Sequence, residues 1–161
     1  MKHLKYITCL VIMLLAFNFS FAQKKSTAKQ DSVKNKVESK NFRFVAQYAN
    51  PLRGGHPYLT SDYDIRVKPD SVISFLPYFG QAYFDVPYNP NEGGIKFTST
   101  KFTYTKKQMK KGNWQITFIP KDVKNLQRVT FNIYPNGNTW TQFLFTNRDA
   151  ISFDGYIDIK Y

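Results

Sequence analysis

Few residues of this 161-residue chain have side chains that do acid–base, nucleophilic or metal chemistry. Its one cysteine, Cys9, lies in an apolar run near the N-terminus; of its two histidines, His3 precedes that run and His56 is the one that lies beyond residue 22. A Ser-His-Asp or Cys-His constellation would have to use His56, and no Gly-x-Ser-x-Gly motif accompanies it. A zinc site would need His56 with carboxylates alone, which is an uncommon ligand set. We therefore interpret His56 as a surface loop residue and expect no metal and no cofactor.

The carboxylates offer one remaining route to catalysis. Asp62 and Asp64 lie two residues apart and can share a strand face, and Asp154 and Asp158 flank Tyr156. Glycoside hydrolases use carboxylate pairs, so a carboxylate-dependent hydrolase is retained as an alternative. The scattered positions of these acids are more typical of solvated strand ends and turn caps. The chain is therefore predicted to be non-enzymatic.

Aromatic and basic side chains indicate binding rather than catalysis. Clusters of exposed aromatic residues mark binding surfaces, and a group of lysines around Met109 could contact an anionic surface or solubilise a hairpin tip. The candidate ligand or partner contacts are Tyr78, Phe79, Tyr83, Tyr88 and Trp140, and the basic group consists of Lys106, Lys107, Lys110 and Lys111.

The N-terminus has the features of an export signal. Two lysines precede an apolar run from Ile7 to Phe21, and small residues follow at the positions expected before a signal peptidase cut. Residues 1–22 are therefore predicted to be a signal peptide, residues 23–30 a flexible basic leader and residues 31–161 a single domain.

Cleavage after residue 22 has two consequences for the mature chain. It would remove Cys9 and leave a soluble periplasmic or secreted protein without a stable membrane span. Loss of Lys2 and Lys5 would also lower the formal net charge from +12 to +10. Behind an export signal, such a charge favours an anionic envelope component over nucleic acid as a partner.

Downstream of the leader, the sequence predicts one short helix followed by strands. Val33 and Val37 are four residues apart and Asp31 is a candidate N-cap, which predicts one or two helical turns. In the first strand, alternation places Tyr48 on the same face as Phe42. The predicted strands are Phe42–Tyr48, Tyr63–Val67, Val72–Leu76, Ala82–Val86, Ile95–Thr105, Trp114–Phe118, Val129–Tyr134, Thr139–Phe145 and Ile151–Ile157. Eight or nine strands with such short connections predict an antiparallel up-and-down β-barrel, with a β-sandwich as the alternative.

The segment Tyr134–Asn138 predicts the register of one hairpin. Its proline and asparagine suit a type I turn, and Gly137 suits the left-handed position of the bulge that follows. This register sets Phe131 opposite Thr141 on the apolar side. Trp140 then lies on the other side, either as a half-covered outer-face residue or as a binding aromatic.

The segment Pro77–Gly94 combines aromatic residues with turn formers. Gln81–Val86 is predicted to be a strand whose Phe84 fills the core. The remaining aromatics would line the rim of a barrel mouth, and these are Tyr78, Phe79, Tyr83 and Tyr88.

Three segments carry a family resemblance: Phe75–Tyr83 (FLPYFGQAY), Gly93–Phe97 (GGIKF) and Asn147–Ile157 (NRDAISFDGYI). In this order they resemble an uncharacterised family of exported proteins, domain of unknown function 4251, which is common in Bacteroidetes. The resemblance covers about Val33 to Ile157, and Gln81 departs from it by standing where arginine is expected. It implies a small lipocalin-like barrel with no established catalytic residue.

These features predict an exported, non-enzymatic, lipocalin-like module that binds a small apolar ligand inside its barrel. The alternative is an envelope structural or interaction protein that contacts a protein, a glycan or an anionic surface.

Overall fold

The computed structural model describes residues 28–85 and 93–161. Within them lie one α-helix, α1, at residues 28–38, and nine β-strands. The strands are β1 (Phe42–Pro51), β2 (Asp64–Val67), β3 (Val72–Leu76), β4 (Ile95–Ser99), β5 (Phe102–Gln108), β6 (Trp114–Pro120), β7 (Leu126–Ile133), β8 (Asn138–Phe145) and β9 (Ile151–Asp158). A short 3-10 turn at Lys110–Gly112 connects β5 to β6.

The strands form an antiparallel meander that closes on itself almost completely. Each strand pairs with its neighbours in sequence except between β4 and β5, and β1 pairs with β9. Every observed strand pair is antiparallel, and β4 and β5 are the two ends of the nine-strand order. These two strands therefore run in the same direction, and only Thr100 and Lys101 lie between them in the chain. They are two halves of one bent strand, as the predicted Ile95–Thr105 strand implies. The predicted up-and-down barrel is confirmed, and the chain does not form a sandwich.

Asp122 holds the bend between β4 and β5. Its carboxylate accepts a hydrogen bond from the Ser99 hydroxyl and from the backbone amides of Thr100 at 2.8 Å and Lys101 at 3.0 Å. The bond from Ser99, with those from the amides, lowers the pKa of Asp122 to about 2. The ionised carboxylate thus stabilises the corner at which the barrel nearly closes.

Phenylalanine rings fill the interior of the barrel. The ring centroid of Phe131 lies 5.7 Å from that of Phe42 and 6.3 Å from that of Phe44. Phe143 lies 5.9 Å from Phe153. These rings are fully buried and meet edge to face, which is a favoured aromatic geometry. The inward faces of the strands therefore form a packed hydrophobic core.

Helix α1 packs against this core and begins earlier than the sequence predicts. Val33 and Val37 are fully buried in the same cluster as the barrel residues. Residues 28–30 are already helical, although the sequence predicts them to be part of the flexible leader. Asp31 lies inside the helix and does not cap it. Packing of the two valines on the barrel stabilises more turns than local capping signals indicate.

The hairpin between β7 and β8 has the predicted register. Gly137 has φ +88° and donates its amide hydrogen to the Tyr134 carbonyl at 2.8 Å. Phe131 lies opposite Thr141, as expected. The turn residues therefore determine which side of β8 faces outward.

The predicted strand Ala82–Val86 is wrong over the residues that the structure describes. Ala82 forms an isolated bridge with Arg148, and Phe84 is 55% exposed instead of buried. The segment bonds to the loop between β8 and β9, for example through the Tyr83 amide and the Asn147 carbonyl at 2.8 Å. A loop contact distant in sequence thus replaces the predicted strand pairing.

Candidate functional site

A row of aromatic and polar side chains crosses the outer face of the barrel. Trp140 of β8 lies beside Asp154 of β9. Asp154 in turn lies beside Tyr48 of β1. The row lines an open depression of about 560 Å³, a volume within the usual range of small-molecule sites. We call it the tryptophan groove, and its lining includes Gln47, Tyr48, Tyr134, Asn138, Trp140 and Asp154.

Two backbone features shape this groove. A register shift in β1 between Ala46 and Tyr48 turns Tyr48 outward, whereas strict alternation predicted it on the face of Phe42. Across the strand pair, Gly155 approaches β1 so closely that a Cβ atom there would lie 2.0 Å from the Val45 carbonyl oxygen. Gly155 therefore lets β9 lie close against β1 beneath the groove, which its backbone lines.

Aromatic contacts hold one wall of the groove in place. The Tyr48 ring stacks on His56 at 4.8 Å between centroids, with the planes 10° apart. Tyr58 meets Tyr48 edge-on at 5.2 Å. His56 is exposed, as the sequence predicts, and its ring supports Tyr48. Because these contacts already restrict the Tyr48 side chain, it would lose less conformational entropy when a ligand binds.

A fixed carboxylate lies beside the indole of Trp140. Asn50 donates a hydrogen bond from Nδ2 to Oδ2 of Asp154 at 2.7 Å. Among the residues that the structure describes, Oδ1 of Asp154 has no hydrogen-bond partner. The side chain of Trp140 is partly buried and that of Tyr134 is 46% exposed. The groove thus combines apolar ring surface with an oriented acceptor.

Two of the predicted rim tyrosines belong to a different structure, the segment of residues 77–85, which we call the strap. The Tyr78 hydroxyl donates to the Asp149 carbonyl at 3.1 Å, and the Tyr83 hydroxyl donates to the Asp149 carboxylate. The Arg148 guanidinium lies over the rings of Tyr78 at 4.9 Å and Phe145 at 5.1 Å. The strap is therefore fastened to the loop between β8 and β9.

The pKa shifts in the strap agree with this fastening. Burial, with the nearby charge of Asp149, raises the pKa of Tyr78 to about 12. The hydrogen bond from Tyr83 lowers the pKa of Asp149. Tyr78 and Tyr83 of the strap thus both bond to Asp149 at this end of the barrel.

The five aromatic candidates do not form one site. Phe79 is 39% exposed in the strap, and Tyr88 lies outside the described residues. Trp140 precedes Phe145 by five residues along β8, a distance of roughly 17 Å along the strand. Trp140 is therefore the candidate that lines the groove.

The basic group extends from the end of β5 into the hairpin turn that connects β5 to β6. Lys106 and Lys107 lie within β5, and Lys110 and Lys111 lie in the 3-10 turn that follows. The Lys106 ammonium forms an ion pair with Glu38 of α1. Lys106 therefore helps to fasten the helix, while Lys107 and Lys110 are exposed.

The two carboxylate pairs have different surroundings in the structure. Asp64 is buried and accepts hydrogen bonds from Arg43 at 2.6 Å and Arg66 at 3.0 Å. Asp154 and Asp158 are four residues apart on β9, which separates them by about 13 Å along the strand. Paired catalytic carboxyl groups lie no more than about 9.5 Å apart. Asp64 and Asp158 thus serve as ion-pair partners, and Asp154 as a groove residue.

Two kinds of feature are missing from the part of the chain that the structure describes. Over residues 28–85 and 93–161, no group of three or more His, Cys, Asp or Glu is placed to hold a metal ion. In the same part of the chain, no helix has the length and apolar character that crossing a membrane requires.

Sequence reasoning missed most of the groove. Strand alternation predicts Tyr48 on the inner face, and the sequence offers Asp154 as a catalytic acid beside Asp158. The hairpin register did place Trp140 on the outer face near Tyr134. The partners that complete the groove come from β1 and β9, and their pairing joins the two ends of the domain.

Comparison with known proteins identifies a family but no activity. The family model described as "Domain of unknown function (DUF4251)" matches residues 24–157. The chain is also similar to the crystal structure of a DUF4251 family protein from Bacteroides eggerthii DSM 20697. The TM-score is 0.57 at 14% identity, over 81% of this chain and 87% of the other, which supports the shared fold. No curated protein matches the sequence. Because the match to the family model spans the helix and the nine strands of the barrel, the chain belongs to the DUF4251 family.

Proposed function

We propose that this protein is an exported, non-enzymatic module that binds a neutral glycan in the tryptophan groove. The observation that carries the proposal is the position of Trp140 beside Asp154, whose carboxylate Asn50 holds in place. A sugar ring has an apolar C–H face and a rim of hydroxyl groups. An aromatic face next to a fixed acceptor and to side-chain amides is complementary to both.

The polar groups around Trp140 favour a polyhydroxylated ligand over an apolar one. Gln47 and Asn138 can each donate and accept hydrogen bonds, and Asp154 accepts them from hydroxyl groups. Asp154 would also repel an anionic ligand placed against it. Neutral sugars therefore match the groove better than fatty acids or acidic polymers.

The packed core makes the barrel interior a poorer candidate for the site. An apolar guest would have to displace phenylalanine rings, and emptying the volume of one such ring costs about 3–5 kcal/mol. If a fluorescent fatty acid nevertheless bound with a fixed stoichiometry, and Trp140→Ala left that binding unchanged, the interior hypothesis would replace the groove hypothesis.

Export is part of the same proposal, and the signal-like N-terminal segment supports it. Expression with cell fractionation should place the protein outside the cytoplasm. Mass spectrometry of the mature chain should give an N-terminus at Gln23. A full-length chain retained in the cytoplasm would overturn this part of the proposal.

Glycan binding can be followed by intrinsic fluorescence and calorimetry. Trp114 is buried in the barrel, so a soluble oligosaccharide should alter the emission of Trp140. Trp140→Ala should weaken binding by at least about tenfold, since central aromatic contacts contribute on the order of 1.4 kcal/mol or more.

The matched control is Phe79→Ala, which removes an aromatic of the strap that is 39% exposed. It should leave the affinity unchanged. Prolonged incubation should leave the oligosaccharide at its original length. Equal losses in both variants, or shortening of the sugar, would contradict the proposed function.

A further inference from the structure

We infer that the ligand is an extended glycan chain lying along β9 and not a terminal sugar. This inference rests on the proposed function and on the shape of the outer surface beyond the tryptophan groove. A second depression of about 530 Å³ adjoins the first. The two share Gln47, Asn136 and Asn138 in their lining. They are therefore parts of one continuous furrow, which follows the outer face of β9.

Strand register fixes the direction of the furrow. Trp140 lies beside Asp154, and Asn138 lies beside Tyr156, two residues further along β9. Asp158 is the next outward position and lines the second depression. From Asp154 to Asp158 the furrow extends about 13 Å, which is longer than one sugar ring.

Each depression presents an aromatic side chain of its own. Trp140 lines the first, whereas Tyr156, which is 39% exposed, lines the second and is absent from the lining of the first. Two aromatic faces spaced along one furrow match successive units of a chain, because each ring can pack against a different sugar. A single terminal sugar would use one of them.

The charges along the furrow are mixed. The second depression is lined by Lys29, Lys160 and Asp158, and the first by Asp154. Arg43 lies 3.6 Å from Asp158 and neutralises part of its charge. Because neither sign dominates, the furrow suits a neutral chain and not a polyanion, despite the basic balance of the whole protein.

A third depression of about 330 Å³ lies beside Thr60 and Asp62. It shares Gln47 with the tryptophan groove, and Gln47 and Tyr156 with the second depression. A chain in the furrow does not need it. Asp62→Ala, an exposed residue that lines just the third depression, is therefore a control for the path of the chain.

Affinity as a function of chain length tests the inference. We would measure calorimetric binding of N-acetylglucosamine and of its β-1,4-linked di-, tetra- and hexasaccharides, with cello-oligosaccharides of the same lengths. Affinity should rise about tenfold or more between the disaccharide and the tetrasaccharide as the second aromatic is engaged. It should then level off, because the furrow ends near Lys160.

Variants separate the two parts of the furrow. Tyr156→Ala should reduce the affinity for the tetrasaccharide to nearly that for the disaccharide, while leaving the disaccharide unaffected. Trp140→Ala should weaken both, and Asp62→Ala neither. Circular dichroism of each variant would establish that it folds.

The outcomes distinguish the inference from the proposed function. Equal affinity for all chain lengths, or a Tyr156→Ala variant that binds the tetrasaccharide like the unaltered protein, would overturn the extended chain and leave glycan binding standing. Absence of binding to every sugar in both series would overturn the proposed function and the inference together.

Discussion

Replacing Gly155 by alanine tests whether the close approach of β9 to β1 shapes both the barrel and the groove. The added Cβ would lie 2.0 Å from the Val45 carbonyl oxygen and 2.9 Å from Cε2 of Phe44. Favourable contact begins only near about 3.5 Å, so the strands must separate by more than ~1 Å. The nearest atom belongs to the backbone of a residue that pairs with Tyr156, and no side-chain rotation can relieve it.

The expected cost of this substitution follows from the depth of the overlap. Overpacked core positions lose about 1–3 kcal/mol, and we expect the upper end, about 3 kcal/mol, because the overlap is with backbone. For a domain of this size, such a loss lowers Tm by roughly 10 °C. Thermal unfolding followed by circular dichroism would measure it.

Gly55→Ala is the matched control for this experiment. A Cβ at Gly55 has nothing within 4 Å, and Gly55 does not have a positive φ. Its Tm should be unchanged or slightly raised, because alanine restricts the unfolded chain. If Gly155→Ala melted within about 2 °C of Gly55→Ala, the strands would be able to separate at little cost, and the steric argument would be refuted.

Two further substitutions test the core and the corner. Phe131→Ala removes a fully buried ring that contacts Phe42 and Phe44, and it should lower the free energy of unfolding in urea by about 3–5 kcal/mol; a loss below about 1 kcal/mol would mean that the interior is not packed. Asp122→Asn tests the carboxylate whose pKa falls to about 2 in the folded protein, chiefly through the Ser99 hydroxyl. Because the folded pKa is depressed, its stabilisation is present above the unfolded value near 3.8 and is lost as the pH falls towards 2. The Tm difference between the two proteins should therefore be largest near neutral pH and shrink as the pH falls from ~4 through ~2, and a difference that stayed constant with pH would contradict this role of Asp122.

The parts of the fold that the sequence predicts well depend on local chemistry. The hairpin at Tyr134–Asn138 follows from turn residues alone, and its register places Trp140 outward. The bent strand also appears as one segment in the sequence, since Thr100 and Lys101 do not interrupt it with proline or glycine. Its bend depends on Asp122, about twenty residues away, and could not be predicted from the segment itself.

The errors occur where distant segments meet. Phe84 alternates like a core residue, yet its backbone carbonyl accepts a hydrogen bond from Asn147 at 3.2 Å and its ring is left exposed. Tyr48 follows the alternation of β1 until the bulge reverses it. The bulge forms against a segment about one hundred residues away in the chain, and the strap forms against one about sixty residues away. Local periodicity carries no information about either contact.

The family resemblance and the proposed function draw on partly different residues. The first half of the Asn147–Ile157 motif fastens the strap through Asp149, so its role is structural. The second half supplies Gly155, which lines the groove, and Tyr156, which lines the adjoining depression. Trp140 lies outside the three motifs, whereas Asp154 and Tyr156 lie within the third. The motifs therefore account for the fold and for part of the furrow, and Trp140 has to be recognised from the structure of this chain.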